Sequence, residues 1–283
     1  MKVVVTGVGG QLGTEVFNQL IHRGHQAIGL SQQDLDITRE EDVNEVFHRC
    51  QPDAVIHCAA YTAVDLAQDE QEAAYQVNVL GTRYLAKASA ACHAKFLYVS
   101  TEYVFSGEGE KPWTVDDEVH PKNVYGETKA AGEAEVVQAS NQYFIVRTSW
   151  VVGIHGKNFV KTMLSLGKKN EQLRVVKDQI GSPTFTFDLA RLLIDMVETN
   201  RYGYYHASNE GYCSWYEFAL EIFQQAKLEV TVNPVESSEF PTKAVRPKNS
   251  RMDKSCLDRS GFQRLPDWRE SLNRYLLLSG EIL

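Results

Sequence analysis

One stretch near the start, K-V-V-V-T-G-V-G-G-Q-L-G (residues 2–13), constrains the fold of this chain more than any other. An apolar run passes straight into glycines, and helical periodicity begins near Gln11. Gly7, Gly10 and Gly13 stand at G-x-x-G-x-x-G spacing. Glycines there let the backbone turn tightly and approach a pyrophosphate. The helix start then offers free N–H groups and the positive end of its dipole. A strand before and a helix after separate this reading from an ordinary glycine-rich turn. The expectation is a phosphate cradle that opens a dinucleotide-binding unit.

The next residues extend that unit. Short apolar runs recur at 26–30, 54–58, 95–100 and 143–148. Amphipathic stretches lie between them at 11–23, 40–49, 70–92 and 124–138. Apolar strands alternating with longer helices predict a parallel sheet covered on both faces. The second half is less regular. Helices are expected at 158–167 and 188–199, and short strands at 174–176, 204–207 and 229–233. Ser214, with Glu217 three residues later, reads as a capping box for a helix over 214–225. The segment 234–254, with its prolines and charges, reads as an ordered loop. The class is therefore α/β: a Rossmann-type doubly wound parallel sheet over residues 1–150, then a smaller mixed α/β substrate domain over 151–283. The helix near 188–199 is expected to pack back on the first unit.

Composition removes several alternatives. A formal charge of -8 argues against nucleic acid as a partner. No apolar run approaches membrane-span length, so no membrane association is expected. The five cysteines are odd in number and show no C-x-x-C, which suits reduced thiols and a cytoplasmic address. The histidines form no H-x-x-x-H pattern, so no zinc site is expected.

A carboxylate at the end of the second strand ordinarily binds the adenosine ribose 2′-hydroxyl and repels a 2′-phosphate. Here that position is Ser31, and the acids come later, at Asp34 and Asp36. No arginine replaces the carboxylate either. The cofactor is expected to be NADPH or NADH, with a lean to NADPH. Ala59 and Ala60, past the third strand, leave room for a flat cofactor or for a closely packed helix.

The fourth strand ends in Y-V-S-T-E-Y-V-F (residues 98–105), so Ser100 and Thr101 bring hydroxyls to the ligand-binding edge. Farther on, V-Y-G-E-T-K puts Tyr125 four residues ahead of Lys129, on one helix face. A hydroxyl, a phenol and an ammonium beside a nicotinamide suit carbonyl reduction, in which a growing alkoxide takes a proton. The lysine is expected to lower the phenol's pKa and to hold the nicotinamide ribose. Without that context a Tyr-x-x-x-Lys pair is an ordinary solvated helix face.

These residues resemble the extended short-chain dehydrogenase/reductases: the glycine loop, A-A-Y-T (59–62), S-T-E-Y-V-F and Y-G-E-T-K. Further runs narrow the resemblance to the dTDP-4-dehydrorhamnose reductase family. They are R-T-S-W (147–150), N-F-V-K-T-M-L (158–164), D-Q-I-G-S-P-T (178–184), C-S-W-Y-E-F-A (213–219) and R-P-K-N-S (246–250), and they span both halves. The resemblance implies an NAD(P)H-dependent reduction of the C4 ketone of dTDP-4-dehydro-L-rhamnose to dTDP-L-rhamnose. Tyr125 would donate the proton, Lys129 would be its partner and ribose ligand, and Thr101 would assist at the carbonyl. Glu102, where the family more often has aspartate, would lie beside the substrate, and Trp150 would line the sugar pocket. Gln11, Leu12, Ser31, Asp36, Ile37, Ala59, Ala60 and Thr62 match nucleotide-contacting positions.

A dTDP-sugar needs a local basic site in so acidic a chain. Lys243, Arg246, Lys248, Arg251 and Lys254 gather in one loop region with Asn249 and Ser250, a candidate nucleotide-sugar contact or a solvated charge run. Some relatives hold magnesium through glutamates at a dimer contact. Glu15 matches one such position, but Phe187, beside Asp188, stands at the second. No metal site is expected, and monomer and homodimer both stay open. Two rival readings remain: another nucleotide-sugar reductase or epimerase of the extended family, or a non-catalytic dinucleotide-binding regulatory subunit.

Overall fold

The structure is a computed structural model, described here for residues 1–282. Its first part alternates strand and helix. The elements are β1 (Lys2–Thr6), α1 (Gln11–His22), β2 (Gln26–Leu30), α2 (Glu40–Cys50), β3 (Ala54–His57), α3 (Val64–Ala67), α4 (Gln71–Tyr75), α5 (Thr82–Ala91), β4 (Lys95–Thr101), α6 (Val124–Ala139) and β5 (Tyr143–Thr148). The rest comprises β6 (Val151–Val152), α7 (Phe159–Gly167), β7 (Gln172–Val176), β8 (Ile180–Gly181), β9 (Thr184–Phe185), α8 (Thr186–Val197) and β10 (Gly203–His206). After these come β11 (Cys213–Ser214), α9 (Trp215–Gln225), β12 (Thr231–Val235), α10 (Ser255–Arg259) and α11 (Trp268–Leu278).

The central sheet has six strands in the order β10-β5-β4-β3-β1-β2, all paired in parallel. Its central strands are apolar throughout because helices cover both faces: Val3 and Val5 face one core, Val4 and Val55 the other. The register aligns Thr6, His57 and Tyr98 across β1, β3 and β4, and Thr101 with Thr148 across β4 and β5. The carboxyl ends of these strands thus share one edge, where ligands bind in such sheets.

The chain crosses between the two expected units. After β6 to β9 it returns: α8 packs on α1, and β10 extends the central sheet beside β5. α10 packs on β10, so Cys256 and Leu257 join the first core. The second core lies among α7, α9, α11 and the β7–β12 pair. A single cut at residue 150 therefore does not separate two packed units, because the sheet is completed by residues 203–206.

Three local expectations are revised. The helix over 70–92 is broken by a π-helical turn, Gln76–Gly81. That turn aims Asn78 at the loop after β3, where its side chain accepts from Tyr61 N (2.8 Å) and donates to Tyr61 O (3.2 Å) and Thr128 Oγ1 (3.0 Å). Such bulges recur at functional sites. The strand expected over 229–233 is β12, two residues later, and it takes in Pro234 of the expected loop. Proline fits because β12 is an edge strand, paired only with β7. The helix expected from 188 begins at Thr186. The capping box forms: Ser214 Oγ accepts from Glu217 N (3.0 Å), and the Glu217 carboxylate accepts from Ser214 N (2.7 Å).

Two buried histidines supply a test of the packing. His57 lies between Thr6 Oγ1 (2.7 Å) and Thr82 Oγ1 (3.2 Å), and His206 Nδ1 reaches Trp113 O (3.1 Å). Burial pushes each ring's pKa down to about 3, helped by Lys129 for His57 and by Arg147 for His206. The folded pKa lies below the unfolded one. Each ring therefore adds stability that is present above 6.5 and lost as pH falls toward 3. Both rings are expected to stay neutral at about pH 5, read from their nitrogen shifts by NMR. Titration of either near 6.5 contradicts the packing.

Candidate active site

The glycine loop joins β1 to α1. Gly7 adopts φ +74°, and a Cβ there would stand 2.8 Å from Ala59 N. A Cβ at Gly13 would stand 2.2 Å from Gly7 O, so the helix start lies directly on the loop. No side chain caps α1 and its first turn holds no acid. The N–H groups of Gln11, Leu12 and Gly13 therefore remain available at the positive end of the helix dipole. This cradle fits a dinucleotide pyrophosphate. The Gln11 side chain is committed elsewhere: its Oε1 accepts from Gly153 N (2.9 Å) and Asn158 Nδ2 (3.1 Å), tying the loop to the second unit.

The end of β2 brings Ser31 and Asp34 together. Asp34 folds back so that its Oδ2 accepts from Ser31 N (2.8 Å) and Ser31 Oγ (2.6 Å). A carboxylate thus stands beside Ser31, delivered from three residues on. These bonds hold its pKa below the usual carboxylate value. Asp36 caps the next turn by accepting from Thr38 N (3.0 Å). Ile37 is buried against Gly81, where a Cβ would stand 2.8 Å from its Cγ1. Ala59 and Ala60 are half-buried beyond β3, and Thr62 is exposed beside them.

β4 ends at Thr101, which caps a single 3-10 turn, Glu102–Val104. Thr101 Oγ1 donates to Glu102 Oε2 (2.9 Å) and accepts from Tyr103 N (3.2 Å). Tyr125 lies in the first turn of α6, with Thr101 near enough to favour its phenolate. Asn123 places that turn, accepting from Gly126 N (2.8 Å). The Tyr125 ring meets Tyr103 edge-on at 5.5 Å.

Lys129 is brought beneath this group, but not as expected. Its Nζ donates to Val99 O (2.8 Å) and lies 4.0 Å over the Tyr98 ring. Burial pushes its pKa down to about 7, while Glu133 and Cys58 hold it up. The phenol of Tyr125 is raised instead of lowered, first by burial and then by the charge of Glu102; only Thr101 opposes. Lowering by Lys129 does not arise in this arrangement, because the ammonium is committed to the backbone under the strand end.

Next to Tyr103 a cleft of about 350 Å³ opens between the units. Trp150, at the end of β5, forms one wall and stacks on Trp215 with ring centres 3.6 Å apart. It holds a left-handed φ of 45°, a strain tolerated where a side chain must be aimed. Phe159, Phe240, Gln179 and Arg174 line it too, with Arg246 and Ser250. Of these, sequence reasoning assigned roles only to Trp150 and Arg246 and grouped Ser250 with the basic loop. Trp215 stood in view at the start of α9, but Arg174 gave no signal in a short strand.

The basic loop does not converge on the cleft. Lys243 pairs with Asp69, Arg246 with Asp65 (2.7 Å), Lys248 with Asp178 (3.0 Å) and the buried Lys254 with Glu210 (3.6 Å). Arg251 donates to Asn249 Oδ1 (2.9 Å), and Asn249 Nδ2 donates to Lys111 O (2.8 Å). Asn249 is thus a buried loop anchor outside the cleft lining, and Arg246 is the one cation of the set that faces it. Arg174, paired with Glu239, is the second cation there. At the expected dimer contact, Glu15 bonds Gln19 (2.7 Å), and Asp188 turns inward to Ser271 (2.6 Å) and Asn209 (3.0 Å).

Comparisons with known proteins show the family. The family model described as RmlD substrate binding domain matches residues 1–279. A Bacillus subtilis (strain 168) protein named spore coat polysaccharide biosynthesis protein SpsK is 42% identical, over 97% of this chain and 96% of that protein. The dTDP-4-dehydrorhamnose reductase of Aggregatibacter actinomycetemcomitans is 39% identical, over 96% of this chain and 97% of its own length. A crystal structure of dTDP-4-dehydrorhamnose reductase from Bacillus anthracis str. Ames in complex with NADP superposes with a TM-score of 0.96. It is 44% identical and covers 98% of this chain and 100% of that one. From the glycine cradle to the aromatic cleft, the chain belongs to the RmlD substrate binding domain family.

Proposed function

We propose that this protein reduces the C4 ketone of dTDP-4-dehydro-L-rhamnose to dTDP-L-rhamnose, using NADPH or NADH. The observation that carries it is the meeting of Tyr125, Thr101 and Glu102 at the edge of a cleft walled by Trp150 and Trp215. The nearby dinucleotide cradle supplies the second requirement. When bound there, the dinucleotide supplies the hydride.

The chain's own residues do the rest. Gln11, Leu12 and Gly13 would offer N–H groups to the pyrophosphate; Asp34, on Ser31, would accept from a ribose hydroxyl, and Lys129 would meet the nicotinamide ribose. Thr101, turning its hydroxyl proton from Glu102 to the ketone oxygen, polarises that carbonyl. Tyr125, whose raised pKa keeps it protonated at neutrality, gives its proton to the oxygen as charge develops there. Trp150 and Trp215 stack against the base or sugar, and Arg246 and Arg174 exchange Asp65 and Glu239 for the diphosphate. The dTDP-sugar is the partner this site recognises. All five cysteines are free thiols, which suits the cytoplasm.

The test is turnover. Purified protein is mixed with dTDP-4-dehydro-L-rhamnose and NADPH, or NADH, and nicotinamide absorbance is followed with product identification. The expected product is dTDP-L-rhamnose. Absence of turnover with both cofactors refutes the reading, and an epimer of the substrate in its place favours the epimerase rival.

A further inference from the structure

We propose that the Gln11 side chain is a positioning residue for hydride transfer: it sets the spacing between the dinucleotide cradle and the sugar cleft. The proposal rests on the ketone-reduction reading above and adds what holds the two half-sites in register.

Gln11 belongs to both halves at once. Its main chain opens α1, where the free N–H groups of the cradle lie. Its side chain leaves the cradle for the segment between β6 and α7. There Oε1 accepts from Gly153 N (2.9 Å) and from Asn158 Nδ2 (3.1 Å). The chemistry of the partners fixes both amide orientations. A backbone N–H only donates, so the atom facing Gly153 N is the oxygen. Asn158 Oδ1 accepts from Lys161 N (3.0 Å), which leaves its Nδ2 for Gln11 and for Gly153 O (2.7 Å).

The segment is shaped around this side chain. A Cβ at Gly153 would stand 3.0 Å from Gln11 Cβ. One at Gly156, where φ is +73°, would stand 3.2 Å from Gln11 Cγ. Gly153 is buried, and Gln11 Oε1 is the one partner of its N–H among the described residues. The segment therefore cannot drift from Gln11 without leaving a buried donor unsatisfied. Among the described residues, no other member of the glycine loop hydrogen-bonds residues 150–158.

What the segment carries is the wall of the cleft. Trp150 stands three residues before Gly153, and Phe159 directly follows Asn158, the cap of α7. Both line the cleft, and both rings meet Trp215, with centres 3.6 Å and 4.6 Å away. One amide oxygen thus holds the two points from which these walls extend. Hydride transfer needs the nicotinamide and the ketone carbon at a set separation, and a misplacement of about 1 Å costs on the order of 100-fold in rate. Gln11 acts on that separation through Gly153 and Asn158, without touching a reacting atom.

The experiment compares the wild type with Gln11→Ala, Gln11→Glu and Asn158→Ser. Turnover of dTDP-4-dehydro-L-rhamnose with NADPH is measured beside the separate affinities for NADPH and for dTDP-L-rhamnose. Gln11→Ala is expected to lower kcat at least ~10-fold, while each binary Kd stays near the wild-type value. The deuterium isotope effect on kcat, with NADPH labelled at the transferred position, is expected to rise as hydride transfer becomes the slow step. Gln11→Glu keeps an acceptor oxygen. It is expected to recover kcat at saturating NADPH, while its charge at the start of α1 raises the KM for the dinucleotide. Asn158→Ser keeps a hydroxyl to cap α7 but loses the amide that reaches Gln11, so kcat falls with the same isotope signature.

A merely structural role would weaken both binary complexes and leave the isotope effect unchanged. That pattern overturns the proposal, as does a wild-type kcat in Gln11→Ala or a loss confined to KM. If Gln11→Ala fails to fold, Asn158→Ser decides by the same readouts. Wild-type protein that does not turn over the keto-sugar sinks the reading and the positioning role together. Turnover with an unaltered kcat in Gln11→Ala sinks the positioning role alone.

Discussion

Tyr125→Phe is expected to lower kcat at least ~100-fold, the scale on which general acids act, while dinucleotide affinity stays near normal. The substitution removes one oxygen and little else. The ring keeps its edge-on contact with Tyr103, and Thr101 keeps its bond to Glu102. The glycine cradle does not involve this side chain. Burial and the neighbouring carboxyl keep the phenol protonated through the neutral range, so the wild type is poised as a donor. That polarity suits ketone reduction better than the reverse oxidation, which calls for a phenolate. Single-turnover and steady-state rates for the variant, with dinucleotide binding measured by calorimetry, decide the matter. A kcat near the wild-type value removes Tyr125 from the mechanism.

Gly13→Ala is the second large effect. Its Cβ would stand 2.2 Å from Gly7 O and 2.6 Å from Gly7 C, both backbone atoms. Neither can yield as a flexible side chain would. Gly7 is fixed between this contact and Ala59, in a conformation that only glycine adopts freely. The loop must open, and the N–H groups of Gln11 to Gly13 lose their aim. Dinucleotide Kd is expected to rise at least ~100-fold, since the helix start and the loop bind as one unit. Overpacking adds a stability loss of about 1–3 kcal/mol. Gly9→Ala is the control: nothing lies within 4 Å of its Cβ, so affinity should hardly change. Equal affinity in both variants refutes the cradle as drawn. Calorimetric titration with NADPH and NADH provides the measurement.

Local patterns were legible in advance. The apolar runs of β1, β3 and β4, the glycines of the loop, the capping box at Ser214 and the Tyr125–Lys129 spacing each depend on residues close in sequence. What escaped depends on partners far away. The cations of residues 243–254 looked like one basic site until Asp65, Asp69 and Asp178 were seen to neutralise three of them one by one. Ser31 looked uncharged until Asp34 turned back onto it, a choice of loop conformation that no periodicity encodes. Lys129 sits at the right turn of the right helix, but the direction of its ammonium is set by Val99 O on a neighbouring strand. The π-helical turn was invisible because its cause, the anchoring of Asn78 to Tyr61 and Thr128, lies outside the helix.

The late return of the chain to the central sheet has an evolutionary corollary. A recombination seam at the end of β5 would carry away β10, the outer strand of that sheet, along with α8, which covers α1. It would also remove α10, whose Leu257 fills the core beneath. A chimera made by one crossover there must match a foreign strand and two foreign helices to a resident core. Grafting the cleft walls other than Tyr103 takes four seams, two around residues 149–185 and two around 207–254. Sugar preference and cofactor binding in this lineage are therefore expected to be inherited together, and to diverge through point substitutions in the cleft instead of by shuffling of halves.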